Sequence, residues 1–449
     1  MGLVVLDADQ IQSRPDAMKL SPRLAFLKDW FGVLPAGALA LLPFLVWHRQ
    51  FAELFWFGDE WDLLDQIDRV GLWHWTWVVF AENFVPVFKL LWGGVAIADG
   101  GYFTLLVLLW LTHVANTVLL GRMLRRAGFG WFSTLFSQLV FALASANIET
   151  LGWTVQWSAV LATTFLLLAL DSFPAEPATG LDRRRLIRLV VFSAGSALSF
   201  SRGVLTGAVL ALDCFWPVAV DKGVAAWRSR GLAATLVLLP AVITASLIVL
   251  FANGNHQHLG GHLGSAGLYG LWYFCLNPLY LLLEVDSWGP RTVLLGGLAK
   301  VALLAWGLRR ASDRSRRLLV LLLAFDLGNA VLLGIGRYHT GLETVISSRY
   351  QYNALLAVLP FLGFWLEDLG RRIPARLRTL LAALFLVFAS FHVARHWSDH
   401  LAVFAEQRGT AARRLLFTDP NPSAQGAVPG VPSMSTARAK ELIRRYDLH

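Results

Sequence analysis

Runs of about 15 to 20 apolar residues recur along the chain from Phe31 to Phe391, and such runs are long enough to cross a hydrocarbon core of roughly 30 Å as helices. Inside lipid, backbone N–H and C=O groups find no water, so each crossing segment has to satisfy its own hydrogen bonds. The expected fold is therefore all-α. A composition with 56% hydrophobic and only 15% charged residues agrees, because a soluble domain carries roughly 25% charge. Helical spans also place the chain in an inner membrane, since outer-membrane proteins are barrels.

Read in order, the spans fall near 31–47, 102–120, 131–146, 153–170, 186–200, 203–220, 232–251, 293–308, 318–335, 352–365 and 380–391, about eleven crossings. If residues 1–30 are cytoplasmic, alternate loops on that side collect the arginines. These are Arg122, Arg125 and Arg126, then Arg183 to Arg185 and Arg188, then Arg228 and Arg230, then Arg309 to Arg317, then Arg371 to Arg378. That asymmetry is the positive-inside signature of a bacterial inner-membrane protein. It accounts for the formal charge of +9 without nucleic acid as a partner. It also makes the apolar run 268–285 an interfacial helix, since a crossing there would put the arginines between Arg309 and Arg317 outside.

The chain then divides into a cytoplasmic segment 1–30, a membrane domain 31–394 and a short tail 395–449 that parity sends to the periplasmic side. No apolar stretch in the first segment ends in a cleavage site, so no removable signal peptide is expected. In the tail, 420–435 reads as a flexible spacer before a basic helix at 436–446. Cys214 and Cys275 lie in apolar runs and read as packing residues. No internal repeat is visible.

The first outer loop, 48–101, is the acidic one: Glu53, Asp59, Glu60, Asp62, Asp65, Asp68, Glu82 and Asp99 stand against Arg49, Arg69 and Lys89. Trp61, Leu64, Ile67 and Val70 recur at helical spacing, which predicts an amphipathic helix lying on the membrane with Asp62, Asp65 and Asp68 on its wet face. Asp59 at the start of that helix is either a general base or a helix cap. Glu60 reads first as solvated, with orientation of an acceptor or a shared divalent cation as alternatives.

The run Phe57, Gly58, Asp59, Glu60, Trp61 resembles the acidic signature of GT-C glycosyltransferases. Glu82 with Pro86, His113 and Asn116 in the second span, and Asn147, Glu149 and Trp153 after the third follow in the same order. The resemblance is specific over about residues 57–170; beyond them it rests on the number of spans and on Arg349 and Tyr350. It implies inverting transfer of a sugar from a polyprenyl-phosphate donor to a glycan, lipid or protein acceptor at the periplasmic face, with Asp59 and Glu60 catalytic. It implies no cofactor beyond a candidate divalent cation, and no metal ligand is assigned.

A leaving phosphate needs fixed positive charge, and guanidinium groups supply it in a two-pronged geometry. Outer-side candidates are Arg202, Arg337 and Arg349, with lipid headgroup anchoring as the competing reading. Glu82, Glu149, Trp153 and Tyr350 complete the candidate substrate-binding set. Lys300 and Asp326, at matching depth in neighbouring spans, predict a buried ion pair. His256, His258 and His262 read as part of a mobile glycine-rich loop ahead of a zinc site. The competing functions are a glycan polymerase or ligase using the loop 252–291, and a transporter of lipid-linked sugars.

Overall fold

A computed structural model describes residues 32–80, 82–172, 182–216, 224–252, 255–278, 289–418, 426–428 and 431–449. It is helical throughout, apart from a two-stranded antiparallel hairpin of β1 (Ala427–Val428) and β2 (Val431–Ser435). Among the described residues six helices are long and apolar enough to cross a membrane, and a bent pair, Trp131–Leu143 with Ser145–Gly152, makes a seventh if it counts as one span.

The first predicted span is not one helix. It breaks into α1 (Leu34–Leu39), α2 (Leu42–Val46) and α3 (His48–Glu53). Pro35 and Pro43 sit in the first turns of α1 and α2, where proline fits, whereas inside a continuous helix each would lose an N–H and strike the carbonyl four residues back.

The acidic loop folds into α4 (Asp59–Val70), α5 (Leu72–Trp77) and α6 (Pro86–Asp99). The bundle follows as α7 (Tyr102–Arg126), α8 (Trp131–Leu143), α9 (Ile148–Gly152), α10 (Trp157–Ser172), α11 (Arg183–Ala197), α12 (Val204–Cys214) and α13 (Val224–Phe251). It closes with α14 (Leu263–Leu276), α15 (Pro290–Arg310), α16 (Asp313–Arg337), α17 (Gln351–Arg372) and α18 (Ala375–Ala405).

Within the run 268–285, expected as an interfacial helix, the described part belongs to a helix packed on the bundle. α14 packs lengthwise against α16, with Gly270 against the Ala330 carbonyl and Gly334 against that of Ala266. Small residues allow this close approach of two backbones. Where α14 ends, Lys300 Nζ donates to the Phe274 and Asn277 carbonyls, both at 2.8 Å. It also lies 2.6 Å from Asp326 Oδ2, with both side chains buried. The predicted ion pair is present, and it additionally caps a helix that stops part-way along α16. Residues 279–285 of that run lie outside the described residues.

The C-terminal helix α19 (Thr436–Tyr446) forms where the sequence predicts one, with Ser435 accepting from the Arg438 N–H as its cap. The stretch before it, read as a spacer, contributes the hairpin; 420–425, 429 and 430 lie outside the described residues. α19 packs on α4. Arg438 donates to Asp65 at 2.8 Å and to Asp68 at 2.6 Å, Tyr446 Oη donates to Asp68 at 2.9 Å, and Arg445 reaches it at 2.8 Å. The Asp65 and Asp68 face of α4, expected to meet water, is therefore covered by the tail. His449 completes the docking by donating its N–H to the Gly100 carbonyl and accepting from the Tyr102 N–H, both at 3.0 Å.

Candidate functional site

Asp59 opens α4. Gly58 before it holds φ +59°, a backbone region that disfavours a side chain. The turn aims Asp59 away from the helix axis, and no side chain caps the helix. The capping reading is thus set aside.

Asp59 is exposed, yet the protein around it desolvates its carboxylate, and this neighbourhood is the Asp59 recess. Burial and then the neighbouring Asp62 raise its pKa, against the lowering charges of Arg337, Arg349 and Arg408. One carboxylate therefore lies within electrostatic reach of three guanidinium groups, from the end of α16, the turn before α17 and the segment after α18.

Glu60, in contrast, is fully buried, which overturns the expectation that it is solvated. One carboxylate oxygen accepts from the Phe57 N–H at 2.8 Å and the other from the Thr154 hydroxyl. Thr154 Oγ1 in turn accepts from Trp92 Nε1 at 3.0 Å. Burial pushes the Glu60 carboxyl up to about 8. Its place is beneath the Asp59 turn, binding that turn to the chain ahead of α10.

Arg408 is the element that the sequence reading missed. Its guanidinium donates to Glu149 Oε1 at 3.0 Å and lies 4.7 Å from the Phe57 ring, 4.9 Å from Trp153 and 4.5 Å from Phe404. Gly409 makes this possible: a Cβ there would lie 2.1 Å from the Glu53 carbonyl oxygen, so only glycine lets the segment rest on the start of the acidic loop. The signal available in the sequence was the cluster Arg408, Arg413 and Arg414 in a tail that parity sends to the outer side.

Glu149 bridges two elements, accepting from Arg408 and, at 3.2 Å, from the Arg349 N–H. Its own N–H donates to Ser348 Oγ at 3.1 Å. Arg349 stacks over Tyr350 at 5.3 Å, and Arg202 lies between the rings of Phe200 at 4.8 Å and Tyr350 at 5.7 Å. Arg202 also feels the charges of Arg337 and Arg349. Glu82 packs close to Gly336, one residue before Arg337. The structure thus draws Asp59, Glu149, Trp153, Arg202, Arg337, Arg349 and Tyr350 to one end of the bundle, with Glu82 on its rim.

Among the described residues, buried donors of this region without a hydrogen-bond partner include Arg202 Nη1, Arg349 Nε, Arg408 Nη1 and Trp153 Nε1. Leaving a buried charged donor unpaired costs about 1–3 kcal/mol or more, so such a set marks a place prepared for an anion with several oxygens.

His113 and Asn116 do not reach the site. Each shares a 3.0 Å hydrogen bond with the Tyr352 hydroxyl deep between α7 and α17. Asn147 donates to the Phe141 carbonyl at 3.3 Å and holds the bend after α8. Among the described residues no group of three or more His, Cys, Asp or Glu side chains can hold a metal ion. Both Glu60 oxygens are taken by Phe57 and Thr154 while Asp59 is exposed, an arrangement that does not suit a shared divalent cation. His262 stacks on Tyr338 at 5.1 Å and His258 is exposed, while the side chain of His256 lies outside the described residues. Comparison of the chain with family models, curated proteins and solved structures yields no match.

Proposed function

We propose that this chain is a multi-pass membrane glycosyltransferase of the GT-C type, moving a sugar from a polyprenyl-phosphate donor to a glycan, lipid or protein acceptor. The eleven-span topology, the inner-membrane location and the periplasmic orientation of the recess belong to this reading. The single observation that carries it is the pairing of one exposed carboxylate of raised pKa, Asp59, with an arginine wall whose buried donors lack partners.

The chemistry follows from that pairing. The acceptor hydroxyl gives its proton to the Asp59 carboxylate as its oxygen attacks the anomeric carbon. The bond from that carbon to the phosphate oxygen breaks in line, and the electron pair leaves with the polyprenyl phosphate. Arg349 and Arg408, with Arg202 and Tyr350 behind them, meet the charge that develops on the departing phosphate. Trp153, already packed under Arg408, offers an aromatic wall to a sugar.

The test is sugar transfer by membranes carrying matched amounts of wild type, Asp59→Asn and Arg349→Gln. Loss in both variants supports the reading, and full activity in either overturns its assignment of base or phosphate clamp. A second reading, a transporter of lipid-linked sugars, is favoured by one observation: α14 stops part-way along α16 against the buried Lys300–Asp326 pair, the kind of interrupted helix that transporters use. Transport that survives Asp59→Asn would select it.

A further inference from the structure

In the proposed topology α18 runs past the membrane at its outer end. From Arg376 to His396 it carries 20 residues, which at roughly 1.5 Å per residue is about 30 Å, the thickness of a hydrocarbon core. With Arg376 on the cytoplasmic side, His396 stands at the outer headgroup level, and the next turn, with the exposed His400, reaches beyond it.

The helix is fixed in rotation there. Trp397 and Leu401 are fully buried, and Trp397 Nε1 donates to the Leu143 carbonyl at 2.8 Å while its ring stacks on Trp47 at 6.2 Å. His392, His396 and His400 follow one another at one-turn spacing and so share one face. The ring centroids lie 4.3 Å apart between His392 and His396 and 5.4 Å apart between His396 and His400. Beside them Arg395 and Asp399 offset each other's charge at 3.5 Å.

Nδ1 of His396 lies 3.3 Å from Nε2 of His400. Two Zn–N bonds of roughly 2.05 Å, meeting at a tetrahedral angle of about 109°, place their nitrogens about 3.3 Å apart. The two rings therefore already span one edge of a coordination tetrahedron. In the tautomers that carry their protons on His396 Nε2 and His400 Nδ1, both of these nitrogens present a lone pair. Among the described residues no third His, Cys, Asp or Glu joins them as a ligand, so water completes the shell. Imidazole suits Zn²⁺, Ni²⁺ and Cu²⁺, whereas Mg²⁺ and Ca²⁺ take oxygen ligands.

We infer that His396 and His400 chelate a divalent ion of the zinc class at the outer end of α18, with water completing its shell. The ion braces the turns that lead into Arg408, and the site itself does not depend on the sugar-transfer reading.

Zinc titration of the full chain in detergent micelles, stripped of metal and held in a non-chelating buffer, tests it. Wild type is expected to bind one Zn²⁺ that His396→Ala and His400→Ala each hold at least about tenfold more weakly, the loss that even an outer-shell partner brings. Mg²⁺ at the same concentration should not bind there. Zn²⁺ should raise the melting temperature of wild type more than that of His400→Ala. His400 is exposed, so His400→Ala is expected to fold, and an unchanged metal-free melting temperature checks that. Absence of zinc binding by wild type overturns the inference, as does undiminished binding by folded His400→Ala. Loss of the bound ion in His258→Asn combined with His262→Asn, with retention in His400→Ala, also overturns it and places the metal in the glycine-rich loop. His400→Ala decides the matter alone if His396→Ala does not fold.

Discussion

Arg408, from the segment after the last long helix, donates to Glu149 of the bend after α8 at 3.0 Å, and so joins the two halves of the chain at the Asp59 recess. Its charge also lowers the proton affinity of Asp59, opposing burial and Asp62. A base works only when deprotonated, so activity should fall as pH drops through the raised Asp59 pKa. Arg408→Gln removes a lowering charge and should move that acid limb to higher pH; Asp62→Asn removes a raising charge and should move it lower. The pH profile of transfer by the two variants checks the opposite signs.

Glu60 has a folded-state pKa of about 8, set by burial, against an ordinary value of 4.5. The folded chain therefore binds a proton that the unfolded chain has lost between those values. Its contribution to stability is fully present below pH 4.5 and is lost as pH rises through 8, at up to about 1.4 kcal/mol per unit. Glu60→Gln keeps an acceptor for the Phe57 N–H without the titration. Melting temperatures between pH 5 and 8 should slope downward in wild type and flatten in the variant.

Lys300 and Asp326 are buried at 2.6 Å in a setting that offers neither of them water. Lys300→Met alone strands a carboxylate and uncaps α14, at a cost of about 3–5 kcal/mol. Lys300→Met combined with Asp326→Leu removes both charges. Folded yield after detergent extraction should collapse in the single variant and recover substantially in the double one.

Arg438 carries the docking of α19 on α4. Although burial raises the Asp68 carboxyl, hydrogen bonds from Arg438 and Tyr446 and the charges of Arg438 and Arg445 hold it below its ordinary range. The contact is thus present above the usual carboxylate pKa of about 4 and weakens as pH falls through the depressed value. Arg438→Ala should cost about 1.5–3 kcal/mol locally. Hydrogen exchange should then quicken in α4 and α19 while the cores of α7 and α16 stay protected.

Much of the recess was legible in the sequence because, in the proposed topology, the positive-inside bias leaves few arginines on one side. Arg202, Arg337 and Arg349 stood out there, and Asp59 stood out beside a glycine at the start of an acidic, amphipathic helix. The Lys300–Asp326 pair was legible because two charges in neighbouring apolar runs have few other solutions. Arg408 and Arg438 were not, since their partners Glu149 and Asp68 lie far away in sequence and meet them only once the tail docks. The burial of Glu60 was hidden for a related reason: it depends on Thr154, brought over by the start of another helix. The breaks at Pro35 and Pro43 were written in the chain, but hydropathy alone does not register proline.

The most direct test of the account is incorporation of labelled sugar from a polyprenyl-phosphate donor pool, by membranes with matched amounts of wild type or Asp59→Asn. The account predicts that wild-type membranes incorporate sugar and that the variant loses at least about 100-fold while retaining its fold. Equal incorporation by the two would contradict it.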